Sequence, residues 1–281
     1  MLKIILIILA LASARLMAAD FVIALKPDKN PDVMLGERKN LSAALVEKLG
    51  GEVEVIVPTS GAVILEGLVN GSIDAGYLSA ADMVHARRAG AAELLLVGEI
   101  DGRRSYSSYW LALKDKPYAA VEDLRGKPVA FASRTSTSGY LIPLVDLHNR
   151  GLVKKDPAEF FGSGNVWFGT GYASAVERVL AGEAEAAAVS DYVLDKDKHL
   201  TAEQRAQLKV VARQGPVPTH VIAVSAKLDA EKRDRLRAAL LSLGESHPAL
   251  RDAVFTSPLV KADPGEHLAP VERALDFAGG R

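Results

Sequence analysis

The chain has 281 residues, 49% hydrophobic and 25% charged, which is enough apolar material for one large core or two smaller lobes and excludes a disordered chain. The 34 lysines and arginines nearly balance the 35 acids, for a formal net charge of -1, and no basic stripe of the kind that tracks a phosphate backbone is present, so nucleic acid is not an expected partner. Cysteine is absent, which removes disulfides, thiol nucleophiles and thiolate metal sites.

At the N-terminus, Lys3 precedes a short apolar run that Ser13 and Arg15 interrupt, and small residues follow at Ala18 and Ala19. Residues 1–19 therefore read as a secretory signal, the run being shorter than the roughly 20 residues a bilayer span needs; an uncleaved anchor is the other reading. A periplasmic location is expected.

Phe21 to Leu25 is a strand candidate, and the alternation of Val53, Val55 and Val57 with Glu52 and Glu54 marks another. Between them Leu41, Ala44, Leu45 and Leu49 fall on one helical face, with Asn40 as N-cap and Gly50-Gly51 as the stop. Ile64, Leu65, Leu68 and Val69 form the next helix face, followed by a strand from Ile73 to Tyr77, a helix from Ala80 to Ala89 and a strand from Leu94 to Val97. The alternation of strand and helix predicts an α/β layer with a mostly parallel sheet.

A second series runs through Tyr109 to Leu113, Val129 to Ala132, a helix from Gly139 to Arg150, Val166 to Phe168, a helix from Tyr172 to Ala181, and Ala186 to Val189. The tail holds Val221 to Val224, an amphipathic Asp229 to Leu243 and a last helix near Pro270 to Phe277, which most simply returns to the first layer. The expected architecture is two lobes, 20–105 with 215–281 and 106–214, joined by crossings near Tyr106 and Gly215-Pro216. A cleft between such lobes is a natural ligand site.

The chemistry concentrates after the strand Val129 to Ala132, where Ser133, Thr135, Ser136, Thr137 and Ser138 lead into the helix start at Gly139. Unpaired amides and the positive end of the helix dipole, joined by hydroxyl donors, suit an anion without any lysine. The plainer alternative is that Ser136 or Thr137 is only an N-cap. The anion reading requires this corner to face the gap between the lobes and not to be packed shut.

The run DLRGKPVAF from Asp123, with STSGYL.P ending at Pro143, resembles the periplasmic binding proteins for phosphonate, phosphite and phosphate uptake. Further segments follow in the same order: VEVIVPTSGAVILEGLVNGSIDAGYLSAADMVHA from Val53, SYSSYWLAL from Ser105, FGTGYASAVERVLAGEAEAAAVSDYVL from Phe168 and PVPTHVIAV from Pro216. The resemblance implies a two-lobed, hinge-closing periplasmic-binding-protein fold (type II), with Ser136, Thr137 and Ser138 as oxyanion donors and Tyr77, Tyr106 and Ser108 as wall residues. It further implies a monomer that captures a small oxyanion and delivers it to an ABC permease in the inner membrane, with no cofactor.

Departures from the family pattern shape the expected pocket. Thr59-Ser60-Gly61 stands where an aromatic wall is usual, leaving Ser60 and Gly61 as the first-lobe loop over the ligand, and Ser79-Ala80 replaces Gly-Pro. Tyr172 takes the place of a histidine, and Ser190 that of an acid, with Asp191 one residue on. Carboxylates that would hold an ammonium group are missing at those positions, so a compact or hydroxylated oxyanion is expected rather than an amine-bearing one.

His85, His148, His199, His220, His247 and His267 include no pair at metal-ligand spacing, and no nucleophile elbow, P-loop lysine or dinucleotide fingerprint occurs. No metal and no enzymatic activity are expected. His220 and Asp74 read as structural, and Trp110 and Trp167 as core residues. A periplasmic sensor subunit signalling to a membrane histidine kinase would need the same pocket and remains the alternative.

Overall fold

The computed structural model describes residues 19–27, 31–196, 200–255 and 257–279. Apart from Ala19, the expected signal segment lies outside the described residues, as does His199. No helix among the described residues is long and apolar enough to cross a membrane.

The first sheet is built from β1 (Phe21–Ala24), β2 (Val53–Ile56), β3 (Ala75–Leu78), β4 (Ala92–Gly98), β10 (Val221–Ser225) and β11 (Leu259–Val260), in the order β11-β4-β10-β3-β1-β2. The second takes β5 (Ser105–Leu113), β6 (Val129–Phe131), β7 (Val166–Phe168), β8 (Ala186–Ser190) and β9 (Leu208–Pro218), in the order β7-β6-β8-β5-β9. Most strands of each sheet point one way, as expected, but both sheets are mixed. In the first, β10 enters antiparallel between β3 and β4; in the second, β5 runs against both β8 and β9. The interior strands β3, β8 and β10 are buried along their whole length, which accounts for their unbroken apolar runs, whereas the edge strand β2 alternates.

Two elements differ from the sequence reading. The helix α1 starts at Pro31 and runs to Leu49, so Asn40 lies inside it and is not its cap. The first turns expose Val33 and Leu35, and the apolar face that marks the helix begins only at Met34 and Leu41. The strand β9 was not legible at all. Its buried residues Leu208, Val211, Gln214 and Val217 recur every third position, because two register shifts against β5 break the period of two.

Helices cover the sheets: α2 (Gly61–Asn70), α3 (Ala80–Arg88), α4 (Ile142–Asn149), α5 (Ala158–Phe161), α6 (Tyr172–Leu180), α7 (Tyr192–Asp195), α8 (Ala202–Gln207), α9 (Ala230–Ser246), α10 (Pro248–Phe255) and α11 (Pro264–Ala278). One core lies between the first sheet, α1 and α9, and another under α6. A third is continuous across both lobes, because α11 packs on α3 and also on α4, β9 and the turn before α4. The tail thus returns to the first sheet through β10 and β11, while its last helix bridges both lobes.

Candidate functional site

The segment after β6 makes a wide turn over Thr137–Leu141 before α4 begins. Pro143 near the start of α4 has no amide hydrogen to donate, and the ladder ahead of it opens to i→i+5 bonds, such as Leu141 N donating to Ser136 O at 3.0 Å and Ile142 N to Thr137 O. Ser136 caps the turn, its Oγ accepting from Gly139 N at 3.0 Å, so for this residue the plain N-cap reading holds. Gly139 is required by packing: a Cβ there would stand 2.4 Å from Ala132 Cβ and 3.2 Å from Ala188 O.

Thr137 and Ser138 are buried, and the two hydroxyls have different surroundings. Ser138 is held by the second lobe. Its carbonyl accepts from Ser108 Oγ at 2.6 Å, Ser108 Oγ in turn accepts from Gln214 Nε2 at 2.8 Å, and its own hydroxyl lies 2.7 Å from Tyr172 OH and accepts from Tyr106 OH at 3.4 Å. Desolvation, together with the neighbouring Tyr172 phenol, pushes the Tyr106 phenol well above its ordinary range. It stays a neutral donor. Ser136, Thr137, Ser138, Tyr106, Ser108 and Tyr172 are therefore brought together around one turn.

Thr137 faces the first lobe. Its Oγ1 accepts from Ala81 N, in the first turn of α3, at 3.3 Å. Two helix starts, one from each lobe, converge on this hydroxyl, and their dipoles both present positive ends to it. The corner is packed shut in this structure, against the open seat expected from the sequence: Thr137 and Ser138 are buried, Ala80 and Ala81 share a core with Tyr140 and Leu141, and the Ala81 N to Thr137 Oγ1 bond lies within that closure. Ser79 caps α3, accepting from Asp82 N at 3.2 Å and donating to Asp82 Oδ2 at 2.6 Å; Lys26, just past β1, lies 3.7 Å from the same carboxylate. Ser60 and Gly61 are at the start of α2, where a Cβ on Gly61 would stand 3.7 Å from Asp82. In the second lobe, the Arg134 guanidinium covers the Phe168 ring at 3.9 Å.

Ala81, Ser79, Asp82, Lys26 and Arg134 were missed from the sequence; the Ser79-x-x-Asp82 spacing was the available signal, since it is a capping pattern. Two expected site residues are placed differently. Tyr77 packs into the first-lobe core, its hydroxyl donating to Phe255 O at 2.8 Å and its ring meeting His220 at 5.4 Å, with His220 in turn stacked on Tyr106 at 6.2 Å. Asp191 accepts from Ser107 N and Tyr192 N, both at 2.8 Å, and so ties the end of β8 to the start of β5. Burial raises its pKa against those bonds. Asp74 likewise orients backbone, accepting from Val22 N at 2.7 Å.

A cavity of about 670 Å³ opens beside the hinge, lined among others by Tyr106, Tyr192, Asp191, Arg103 and Gln214. It adjoins the Ser138 network through Tyr106 and does not include Ser136–Ser138. Among the described residues no group of three or more His, Cys, Asp or Glu is placed to hold a metal ion.

A family model described as ABC transporter, phosphonate, periplasmic substrate-binding protein matches residues 23–266. The phosphate-import protein PhnD of Mycolicibacterium smegmatis is 27% identical over 217 residues, covering 75% of this chain and 68% of that protein. PhnD1 from Prochlorococcus marinus, solved in complex with methylphosphonate, superposes with a TM-score of 0.79 at 19% identity over 93% of this chain and 98% of that one. A binding protein component of an ABC phosphonate transporter from Pseudomonas aeruginosa gives a TM-score of 0.78 at 18% identity, over 92% and 86%. At these identities the two structures establish the two-lobed α/β fold.

Proposed function

Because this chain belongs to the family of periplasmic substrate-binding proteins of phosphonate ABC transporters, we propose that it captures a small phosphonate-, phosphite- or phosphate-like oxyanion between its lobes, 20–105 with 215–281 and 106–214, and delivers it to a membrane permease. The observation that carries the reading is the meeting of two serine-capped helix starts, Ser136–Gly139 and Ser79–Ala81, through the bond from Ala81 N to the Thr137 hydroxyl. An anion entering here takes over the Ala81 amide that now serves Thr137.

Binding and closing are then one event. The ligand separates Thr137 from Ala81, accepts hydrogen bonds from both lobes, and is sealed from water as the lobes meet around it, which strengthens each bond. Neutral hydroxyls and amides give about 1.5–3 kcal/mol each toward a charged acceptor, sufficient for capture while leaving release to the permease easy. Asp82 is engaged by Ser79 and Lys26, which leaves no uncommitted carboxylate at the seat among the described residues for an ammonium group and favours compact or hydroxylated oxyanions. Family and relative alike are named for transport, which does not favour the sensory alternative.

A thermal-shift screen of phosphate, phosphite, methylphosphonate and sulfate tests the proposal. At least one phosphorus oxyanion should raise the melting temperature in a concentration-dependent way. No stabilisation by any of them would refute an oxyanion seat.

A further inference from the structure

In the turn ahead of α4 the backbone ladder leaves one acceptor over. Leu141 N donates to Ser136 O and Ile142 N to Thr137 O, so the next bond in that i→i+5 series falls to Ser138 O and residue 143, and Pro143 has no amide hydrogen to give. Ser138 is fully buried, where an unpaired carbonyl is costly. Two side chains from neighbouring strands supply the missing donor. Ser108 on β5 donates its hydroxyl hydrogen to Ser138 O at 2.6 Å, and Gln214 on β9 donates to Ser108 Oγ at 2.8 Å. They stand opposite each other because the register of β9 on β5 shifts between Tyr106 and Ser108, beside the crossing at Gly215-Pro216.

This relay runs one way only. A carbonyl accepts and cannot donate, so the single Ser108 hydrogen is committed to Ser138 O, and Ser108 Oγ can then be met only by a donor. That fixes the Gln214 amide with Nε2 toward Ser108, and its buried Oε1 has no hydrogen-bond partner among the described residues. The bond to Ser108 is therefore what holds the side chain in this orientation.

The peptide between Ser138 and Gly139 is planar and trans, so fixing its carbonyl also fixes the Gly139 N–H on the other side, where it donates to Ser136 Oγ at 3.0 Å. Ser136 Oγ accepts within the turn and keeps its own hydrogen to give. A Ser138 carbonyl swung toward the seat would repel an anion and undo that cap.

We propose that Gln214 is a positioning residue of the oxyanion seat: through Ser108 it supplies the hydrogen bond that Pro143 withholds, holds the Ser138 carbonyl away from the anion and keeps the turn presenting donors. The inference rests on the proposed seat and adds to it a residue that touches no ligand.

Titration calorimetry with methylphosphonate, each variant compared with the original protein at the same pH, tests it. Gln214→Met removes the donor at similar volume and should weaken binding about tenfold at every pH. In Gln214→Glu the ionised carboxylate only accepts and draws the Ser108 hydrogen off Ser138 O, so binding at about pH 8 should be at least as weak; once protonated, at about pH 5, the acid donates in place of the amide and should restore most of the affinity. Ser108→Ala cuts the same relay, should lose as much as Gln214→Met, and carries the test should the Gln214 variants not fold. A merely structural role lowers the melting temperature of these variants and leaves the affinity of the folded protein as it was, with no recovery in acid; that result overturns the proposal and leaves the seat standing. If the original protein binds no phosphorus oxyanion, seat and inference fall together.

Discussion

The amide of Ala81 donates to the hydroxyl of Thr137 across the gap between the two lobes, at 3.3 Å, so the start of α3 and the turn after β6 meet through this hydrogen bond. Each partner comes from a helix start, where amides lack intrahelical acceptors. In the proposed reading, this contact is the place where an anion is held by both lobes at once.

Replacing Thr137 with Val keeps the shape and removes the hydroxyl. One neutral donor to a charged acceptor is worth about 1.5–3 kcal/mol, so methylphosphonate should bind about tenfold more weakly, or worse. Calorimetry gives the affinity and circular dichroism the fold; an unchanged affinity in a folded variant removes Thr137 from the seat.

Tyr172 stands 2.7 Å from Ser138 Oγ and is expected to act by orienting that hydroxyl. Tyr172→Phe should weaken oxyanion binding in the original protein and have little further effect in a Ser138→Ala background. The double-mutant cycle reads the coupling directly, and additive losses would show that the phenol contacts the ligand independently.

Gly139→Ala forces a methyl to 2.4 Å from Ala132 Cβ and 2.8 Å from Ser136 Oγ. Overpacking of this kind costs about 1–3 kcal/mol, and here it also disturbs the cap. Chemical denaturation should show the loss of stability together with weakened oxyanion binding; a variant as stable as the parent would mean the turn yields easily.

The bridging helix α11 should depend on its apolar face rather than its ion pairs. Leu275 is buried, and Leu275→Ala should cost about 2–5 kcal/mol. The Arg88–Asp276 pair at 2.6 Å is largely exposed, and Arg88→Ala should cost about 0–1 kcal/mol. Denaturation midpoints of the two variants decide between these terms, and comparable losses would contradict the assignment.

His267 is buried against Thr219 O at 3.0 Å, and desolvation holds its pKa below the ordinary 6.5. The unfolded chain therefore takes up this proton at a higher pH than the folded one does. Its contribution to stability is complete above about 6.5 and is lost as the pH falls through the depressed folded value. His267→Gln should flatten the decline in denaturation midpoint between pH 7 and 5; an undiminished slope would assign the decline to other groups.

The sequence by itself determined the two α/β series and the hydroxyl-rich turn ahead of α4, because both rest on local signals. Apolar runs mark strands buried on both faces, helical spacing marks faces such as Leu41 to Leu49, and hydroxyls gathered ahead of Gly139 mark a helix start. Only the tertiary structure decided what that turn faces. Ala81 and Thr137 are 56 positions apart, and alanine carries no side-chain signal for a backbone donor. Tyr77 showed the reverse limit, since an aromatic residue at a strand end reads equally as wall or core until its hydroxyl finds Phe255 O. Strand β9 stayed hidden because its two register shifts erase the alternation that identifies a strand, and β9 supplies the Gln214 side chain that supports Ser108 beneath the seat. Local periodicity reports which face of an element is buried; which elements meet is settled by packing between segments far apart in the chain, and the proposed site lies where they meet.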